Sequence, residues 1–132
     1  MKYMLDTNTC IYLIKNRPVQ VLEMMKELDP DDICISSVTY AELSYGIEKG
    51  ADASRNRIAL VFLLANIGIL PFDDRAVCEY GVIRSELERM ELPIGPLDTM
   101  IAAHARSTGC TLVTNNIREF KRVRNIRIEK WV

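Results

Sequence analysis

Three carboxylates and one amide stand where a cation-binding pocket could form. Each lies at the start or the end of an apolar segment, although together they span most of the 132-residue chain. They are Asp6 in MLDTN, Glu42 in TYAEL, Asp98 in GPLDTMIAAHA and Asn116 in LVTNN. Acids gathered in one place repel one another unless they are protonated or neutralised by a cation. Because Mg²⁺ prefers carboxylate, water and phosphate oxygens, the pattern predicts a magnesium-dependent phosphodiesterase, with Mn²⁺ as a substitute ion.

Taken one at a time, each acid has an ordinary structural explanation. Asp6 could cap the helix that follows it, with Thr7 or Asn8 sharing that role. Asp98 could simply favour the positive end of a helix dipole. Glu42 could form a salt bridge with an arginine or extend to water from a helix edge. Only the joint placement of the acids favours a metal site over these alternatives.

Alternating strands and helices must position these residues. Short apolar runs predict strands at residues 2–5, within 31–36, within 67–72, at 111–114 and, more briefly, at 127–128. Helical periodicity predicts helices at residues 9–16, 18–28, 38–49, 54–66, 73–91 and 97–107. This order favours an α/β fold in which helices cover both faces of a mainly parallel central sheet. The length predicts a single domain over residues 1–132.

In a parallel α/β sheet, ligands bind beyond the carboxyl ends of the strands. Asp6 directly follows the first predicted strand and Asn116 directly follows the fourth. Both side chains would project into one crevice if those two strands are neighbours. Glu42 lies on the helix after the second strand, within an apolar stripe that includes Ala41 and Tyr45.

Composition and hydropathy narrow the class of protein. The chain is 48% hydrophobic and 27% charged, as in soluble globular domains. Its longest purely apolar run, residues 58–65, is far shorter than the roughly 20 residues of a membrane-spanning helix. Asp6 follows too closely on the first residue for the apolar region of a signal peptide to precede it. We therefore expect a cytoplasmic protein without a membrane partner.

The four cysteines and the single histidine argue against a zinc site. The cysteines are widely spaced and form no C-x-x-C pair. Cys34, Cys78 and Cys110 have apolar neighbours, which predicts small buried thiols rather than disulfides or nucleophiles. His104 lies six positions after Asp98 on a predicted helix, hence on another face, so we expect it to pack or hydrogen-bond rather than act as a base.

Positive charge is concentrated at the C-terminal end. Residues 117–132 carry a balance of +4, whereas the whole chain carries −1. Basic side chains neutralise phosphates, so this asymmetry is typical of a surface that faces nucleic acid, although an ordinary solvated face explains it equally well. The candidate phosphate contacts are Arg17, Arg84, Arg118, Lys121 and Arg122.

Four blocks of sequence resemble the PIN-domain ribonucleases, especially the VapC toxins of VapBC toxin–antitoxin systems. The blocks are MLDTN before an apolar helix, SSVTYAEL with Gly46 soon after, GPLDTMIAAHA and LVTNNIREF. The likeness, in their order and spacing, extends over nearly the whole chain. The resemblance implies a PIN-like three-layer sandwich. It also implies that Asp6 and Asp98 bind Mg²⁺ directly and that Glu42 binds it through water or positions the nucleophile.

Asn116 matches the fourth polar position of the family, which is often Asp. An amide oxygen neutralises none of the cation's charge. We therefore expect one Mg²⁺ to bind well and any second ion to enter mainly with RNA phosphate. By the same resemblance, small polar residues orient the acids or bound water; they are Thr7, Asn8, Ser37 and Thr114.

The resemblance further implies hydrolysis of RNA by an activated water, leaving 5′-phosphate and 3′-hydroxyl ends. No Ser-His-Asp or Cys-His arrangement offers a competing nucleophile. The implied substrate is structured RNA, notably the anticodon loop of a tRNA, with initiator tRNA favoured, or a ribosomal RNA loop, because unstacked loop bases are accessible.

The implied partners are a VapB-like antitoxin and a second toxin copy, within a larger toxin–antitoxin assembly. The antitoxin would wrap the toxin with its C-terminal segment and insert a basic side chain toward the acids. The helices at residues 18–28 and 54–66 could offer its groove, unless their apolar faces are simply core. DNA would be contacted only through the antitoxin.

Two other classes remain open. A phosphoacceptor receiver domain also uses strand-end acids and Mg²⁺, but it needs an acidic pair after the first strand, where MLDTN offers one acid. Asp73 and Asp74 do follow the third predicted strand, as such a domain requires. A non-catalytic RNA-binding module would bind RNA without magnesium-dependent cleavage.

Overall fold

A five-stranded parallel sheet forms the centre of the protein in a computed structural model that describes residues 1–132. The strands are β1 (Tyr3–Leu5), β2 (Ile33–Ser36), β3 (Gly68–Leu70), β4 (Thr111–Val113) and β5 (Arg127–Glu129). Their spatial order is β3-β2-β1-β4-β5, and every adjacent pair is parallel. The predicted α/β class and all five predicted strands are therefore confirmed.

Seven helices surround the sheet, together with a single 3-10 turn at Pro30–Asp32. They are α1 (Thr7–Ile14), α2 (Val19–Glu27), α3 (Ser37–Lys49), α4 (Ala53–Leu64), α5 (Asp74–Arg89), α6 (Pro96–Thr108) and α7 (Ile117–Phe120). The first six match the predicted helices with ends displaced by at most two residues. Sequence periodicity misses α7, because four residues scarcely complete one helical turn. None of the helices combines the length and apolar character needed to span a membrane.

Hydrophobic side chains pack in two layers, one on each face of the sheet. Successive strand residues point to opposite faces. On one face, Met4 and Leu112 pack with residues of α5 and α6. On the other face, Leu5, Ile35 and Val113 pack with residues of α1 to α4. All five side chains are fully buried, and each such burial stabilises the fold by about 1.5–3 kcal/mol.

Capping groups determine where the helices nearest the acids begin and end. The side chain of Asp6 accepts a hydrogen bond from the backbone N–H of Thr9 at 2.9 Å, which caps α1. Ser36 caps α3 in the same way through the N–H of Val38 at 3.1 Å. Gly109 ends α6 with a φ of 75°, a conformation that glycine adopts without strain.

One predicted burial is wrong: Cys78 is exposed, whereas Cys34 and Cys110 are buried. The core-facing side chains of α5 include Ala76 and Ile83, and Cys78 lies two positions after Ala76 on the outward face. Apolar neighbours in sequence do not share a helix face, because successive residues are rotated by about 100°. All four cysteines are free thiols.

Arg106 connects α6 to α5 and to the C-terminal segment. Its Nε donates to Oε2 of Glu79 at 2.5 Å, and its Nη1 donates to the carbonyl oxygen of Arg124 at 3.0 Å. The Arg106 side chain is only 14% exposed. We expect Arg106→Met to lower the free energy of unfolding by about 2 kcal/mol, because both acceptors lose a charged donor. Urea denaturation measures the change.

Arg89→Met is the matched control for this prediction. Arg89 lies on α5, the helix that carries Glu79, and it also donates a hydrogen bond, to Ser85, but that contact is exposed. Its loss should change the free energy of unfolding by about 0.5 kcal/mol or less. Equal effects of the two substitutions would show that the Arg106 contacts add nothing to stability.

Candidate active site

Three of the acids meet at the carboxyl edge of the sheet, near the junction of β1 and β4. These strands are direct neighbours, with Leu5 opposite Val113. The N–H of Asp6 extends this pairing by donating to the carbonyl oxygen of Val113 at 3.0 Å. The condition set by the sequence, that the first and fourth strands adjoin, is therefore confirmed. It places Asp6 and the Asn116 turn at one edge.

Asp6 serves as a helix cap and also faces the site. It is 4% exposed, and Oδ1 accepts the hydrogen bond from the N–H of Thr9. The capping role considered from sequence is therefore confirmed for this residue. Because the cap uses one carboxylate oxygen, the second oxygen remains available to a cation.

Glu42 is half-buried on α3 and is held by a hydroxyl group. Oγ1 of Thr7 donates to Oε1 of Glu42 at 2.6 Å. The arginine salt bridge considered from sequence is absent, since no basic group lies within 4.0 Å of this carboxylate. The neighbouring Ala41 and Tyr45 face solvent, because α3 buries the opposite side of the helix. Glu42 therefore stands at the boundary between the core and the site.

Asp98 lies half-buried in the first turn of α6, and its pKa reflects the charges around it. Loss of solvent on burial, then the negative charges of Glu119, Glu42 and Asp6 and a hydrogen bond to Glu119, raise the pKa of Asp98 to about 6. A carboxyl whose pKa is raised by three other acids lies in a site that is short of positive charge. The predicted acids therefore converge around Asp98.

Glu119 is a site residue that sequence reasoning missed. Nδ2 of Asn116 donates to Oε2 of Glu119 at 2.9 Å, so the amide holds the glutamate beside Asp98. Asn116 itself carries no charge, but Glu119 brings a fourth carboxylate to the site. The available signal was the N-x-x-E spacing at a helix start, which resembles a capping box.

The donor set suits a hydrated divalent cation. No three acidic or histidine side chains already have the spacing of a closed metal cage. Mg²⁺ does not need one, because it keeps several waters and usually takes only one or two protein carboxylates. None of the four acids has a lysine or arginine partner within 4.0 Å to neutralise it. The chemistry of these residues therefore fits Mg²⁺ with water completing its shell.

Protons should compete with Mg²⁺ at Asp98. We expect Mg²⁺ affinity, measured by calorimetry, to fall by about tenfold as the pH decreases from 7.5 to 5, because the pKa of about 6 lies between these values. Asp98→Asn should show a much flatter pH dependence. An equally steep fall in that variant would assign the proton to another group.

The raised pKa of Asp98 has the opposite effect on the stability of the metal-free protein. Mg²⁺ affinity should increase with pH, whereas the contribution of Asp98 to stability decreases with pH. Because the pKa of Asp98 rises from 3.8 to about 6 on folding, the folded state retains the proton in a range where the unfolded state has lost it. The contribution of Asp98 is therefore fully present below pH 3.8 and is lost as the pH rises through 6. Partial solvent access limits it to about 1–2 kcal/mol.

The four small polar residues predicted to support the acids lie at different distances from them along the fold and have different contacts. Thr7 orients Glu42 directly. Oγ1 of Thr114 accepts from the N–H of Asn116 at 2.9 Å and shapes the turn after β4. Oγ of Ser37 accepts from the N–H of Phe72 at 3.0 Å, so it joins α3 to the chain after β3. A fourth residue, Asn8, is exposed in the first turn of α1 and lines the open side of the site.

His104 is buried behind the site, as the sequence predicts. Its Nδ1 lies 2.7 Å from Oγ of Ser36, and its ring meets Phe72 edge to face at 5.5 Å. Burial lowers the pKa of His104, so the ring is neutral at pH 7. It supports the residue that caps α3 and does not reach the acids as a general base.

Three of the five basic candidates lie in and directly after α7. Arg118 and Lys121 are exposed and lie near Glu119 in the chain. Nη1 of Arg122 donates to the carbonyl oxygen of Pro93 at 3.0 Å and supports the segment that leads into α6.

The remaining two candidates lie on other elements of the chain. Arg84 donates to the hydroxyl of Tyr80 at 2.8 Å and lies 3.6 Å from Glu88, all on the exposed face of α5. Arg17 follows the far end of α1, roughly 12 Å along the axis from the end at Asp6, given a rise of 1.5 Å per residue. Arg84 lines one cavity with Pro93, whose carbonyl oxygen accepts from Arg122, whereas Arg17 lies at the far end of α1.

The receiver-domain alternative does not fit this geometry. Asp73 and Asp74 follow β3, an edge strand that β2 separates from β1. Oδ1 of Asp73 accepts from the N–H of Ala76 at 3.2 Å and caps α5. These acids therefore do not join Asp6 in the way a phosphoacceptor site requires.

This chain matches a known domain family and known proteins whose names describe cleavage of RNA, which is consistent with the acid cluster described above. Residues 3–126 match the PIN domain family model. The tRNA(fMet)-specific endonuclease VapC of Salmonella typhimurium is 47% identical over 131 residues, which are 99% of this chain and 98% of that protein. The protein of the same name in Shigella flexneri is 48% identical over 131 residues, again 99% of this chain and 98% of that protein.

Solved structures of related proteins are also similar to this chain in their three-dimensional fold. The structure of VapBC2 from Rickettsia felis bound to a promoter DNA fragment matches with a TM-score of 0.94 and 41% identity, covering 100% of both chains. DNA-bound VapBC from Salmonella typhimurium matches with a TM-score of 0.94 and 45% identity, covering 100% of this chain and 99% of that one. The chain therefore belongs to the PIN-domain family, among the VapC ribonucleases.

Proposed function

We propose that this chain is the toxin of a type II toxin–antitoxin system and a magnesium-dependent endoribonuclease. The observation that carries the proposal is the convergence of Asp6, Glu42 and Glu119 on Asp98, which leaves a cluster of acids without a basic partner. The substrate we propose is initiator tRNA, cut in the anticodon loop. The two relatives named as tRNA(fMet)-specific endonucleases support this choice. With that substrate, the proposed location of the activity is the cytoplasm.

Each acid has a separate task in this proposal. Asp6 and Asp98 would hold Mg²⁺, or Mn²⁺ in its place, and Glu42 would bind it through water. When bound, the ion lowers the pKa of a coordinated water and polarises the scissile phosphate. Thr7 fixes one oxygen of Glu42, so the other oxygen can accept a proton from the attacking water. Asn116 holds Glu119 near Asp98, and any second ion would enter mainly with the RNA phosphate.

We propose water, and not a side chain, as the nucleophile. The hydroxyl oxygens of Ser36 and Ser37 accept hydrogen bonds from backbone N–H groups, and His104 is buried and neutral. Direct attack by water therefore fits the site best. It would leave a 5′-phosphate and a 3′-hydroxyl, whereas attack by the ribose 2′-hydroxyl would leave a 2′,3′-cyclic phosphate.

We propose a VapB-like antitoxin as the protein partner. A groove of about 530 Å³ lies between α1, α2 and α4, the region that the sequence identified, and Leu22, Met25 and Leu63 line it. Phe62 on its rim is 70% exposed, so the apolar face of α4 is not simply core. The solved VapBC complexes support this partner. We also propose a toxin homodimer within a larger assembly that contacts DNA only through the antitoxin.

Mapping new RNA ends in cells tests the function. The chain would be induced beside an Asp98→Asn control, and 5′-phosphate ends would be sequenced across all RNA. We expect new ends in the anticodon loop of initiator tRNA with the parent chain and none with the control. The same ends in both strains would reject the site. Cyclic phosphate products would reject the mechanism, and RNA binding without cleavage would favour the non-catalytic module.

A further inference from the structure

An open groove continues from the acids along α3. It has a volume of about 770 Å³, within the range of about 300–1,000 Å³ typical of ligand clefts. Thr7 and Glu42 lie at its acidic end. Tyr45 lines the groove and is 67% exposed. A large aromatic ring is therefore presented to solvent beside a phosphodiesterase site.

The spacing on α3 places this ring close to the reacting centre. Tyr45 follows Glu42 by three residues, so both lie on one helix face, separated by about 4.5 Å along the axis. Lys49 lies one turn further, with its Nζ 5.1 Å from the centre of the Tyr45 ring. The order along the helix is thus carboxylate, aromatic ring and cation. With a divalent ion at the acids, this order complements a phosphate, a base and a following phosphate.

The rest of the groove leaves room for a flat group. A Cβ atom added to Gly46 would meet nothing within 4 Å, so packing within this chain does not explain a glycine inside α3. Its bare backbone allows a ligand to approach the helix closely. Leu97, 45% exposed, and Met100 supply an apolar wall from α6, the helix that carries Asp98.

We propose that Tyr45 stacks on an unpaired RNA base beside the scissile phosphate and that Lys49 contacts an adjacent phosphate. The proposal rests on the ribonuclease function proposed above and extends it to substrate selection. Stacking on an aromatic ring requires a base that has left the helical stack, which loops provide and duplexes do not. The groove would therefore favour single-stranded loops over paired RNA before chemistry begins.

RNA fits this groove better than an apolar peptide does, because the aromatic ring lies between a cation and the proposed phosphodiesterase centre. A protein segment would gain from the walls formed by Leu97 and Met100 but would not need Lys49 over the ring. The two occupants also respond differently to substitution. Tyr45→Leu keeps an apolar side chain for a peptide but removes the π face that a base requires.

Binding to a hairpin RNA with a single-stranded loop tests the proposal. In an Asp98→Asn background, which prevents cleavage, Tyr45→Ala and Tyr45→Leu should raise the Kd by about 5- to 150-fold. Tyr45→Phe should stay within about twofold of the background. Tyr40→Ala is the matched control, since Tyr40 is an exposed tyrosine on the same helix outside the groove, and it should leave the Kd unchanged.

Abasic substitutions in the loop show whether the ring meets a base. At one loop position, removing the base should weaken binding to the background protein by the same factor as Tyr45→Ala. The two changes together should weaken binding no further, because they remove the same contact. Fully additive losses at every position would overturn the stacking proposal, since they would show that Tyr45 acts independently of the bases.

Measuring cleavage by the parent chain distinguishes a failure of the proposed ribonuclease function from a failure of the stacking proposal. If Mg²⁺-dependent cleavage is absent, the proposed function fails whatever Tyr45 does. If cleavage is present but Tyr45→Ala changes neither Kd nor KM, only the stacking proposal fails. Unchanged RNA binding with a lost affinity for the co-expressed antitoxin would also overturn it, by assigning the ring to the protein interface.

Discussion

Asp98→Asn is expected to lower the rate of RNA cleavage by about 10³-fold, because the variant loses a charged ligand of the proposed metal ion, whose electrostatic effect amounts to several kcal/mol. Single-turnover cleavage of the target RNA measures the change. The metal-free variant should at the same time unfold at a higher temperature than the parent. Asp98 is repelled by Glu119, Glu42 and Asp6, and asparagine removes that repulsion. A loss of activity with a gain in stability cannot come from misfolding.

Asp74→Asn is the matched control for the Asp98 substitution. Asp74 also lies in the first turn of a helix, α5, but it is exposed and outside the acid cluster. Its replacement removes the same interaction with a helix dipole and should leave cleavage within about twofold of the parent. Cleavage by Asp98→Asn within tenfold of the parent would contradict the assignment of Asp98 as a metal ligand.

Glu119→Gln is expected to lower kcat by about 10²-fold. It keeps the hydrogen-bonding shape beside Asn116 but removes the fourth negative charge. Because Glu119 is the acid that contributes most to the raised pKa of Asp98, the pKa of Asp98 should also fall toward its usual value. The pH at which Mg²⁺ affinity declines should therefore move downward in this variant. Calorimetric titration over a range of pH measures that movement.

Two further variants define the role of Glu119. Asn116→Ala should lower kcat by about tenfold, since the amide only holds the glutamate in place. Glu23→Gln, on the exposed surface of α2, should have no effect. An Asn116→Ala variant that is less active than Glu119→Gln would reverse these two roles, by showing that Asn116 is the functional group.

The raised pKa of Asp98 also gives a reason for the cation that we propose at this site. Without a counter-ion, four acids near one another would repel the phosphates of an RNA as strongly as they repel each other. A bound divalent ion reverses the sign of the local field and allows the substrate to approach. Substrate binding and metal binding should therefore be coupled, with RNA raising the affinity for the second ion.

Much of the fold could be predicted because its signals are local. Consecutive residues are enough to recognise the apolar runs of β1, β2 and β4 and the periodicity of the long helices. Asp6 and Asp98 could be singled out because each lies at or just before the start of a predicted helix, and Glu42 because it is a carboxylate within an apolar stripe. The burial of Cys78 was predicted wrongly for the same reason, since its sequence neighbours are apolar while its helix face is not.

Glu119 and Tyr45 show where sequence reasoning stops. Glu119 lies on a helix of four residues, too short for its periodicity to distinguish it from other charges in a basic segment. Tyr45 belongs to an apolar stripe that could equally have been core. Its exposure depends on which side of α3 meets the sheet, and that side is chosen by the burial of Leu43 and Ile47.

The sequence by itself determined the order of strands and helices, the four motif blocks and therefore the PIN family, because these depend on residue types and spacing along the chain. Only the tertiary structure decided which side chains share a site. Parallel pairing of β1 with β4 brings residues more than 100 positions apart to one sheet edge, and the turn after β4 brings Glu119 toward Asp98. Electrostatic repulsion and burial depend on distance in space, so the charge of this pocket becomes visible only when the chain is folded.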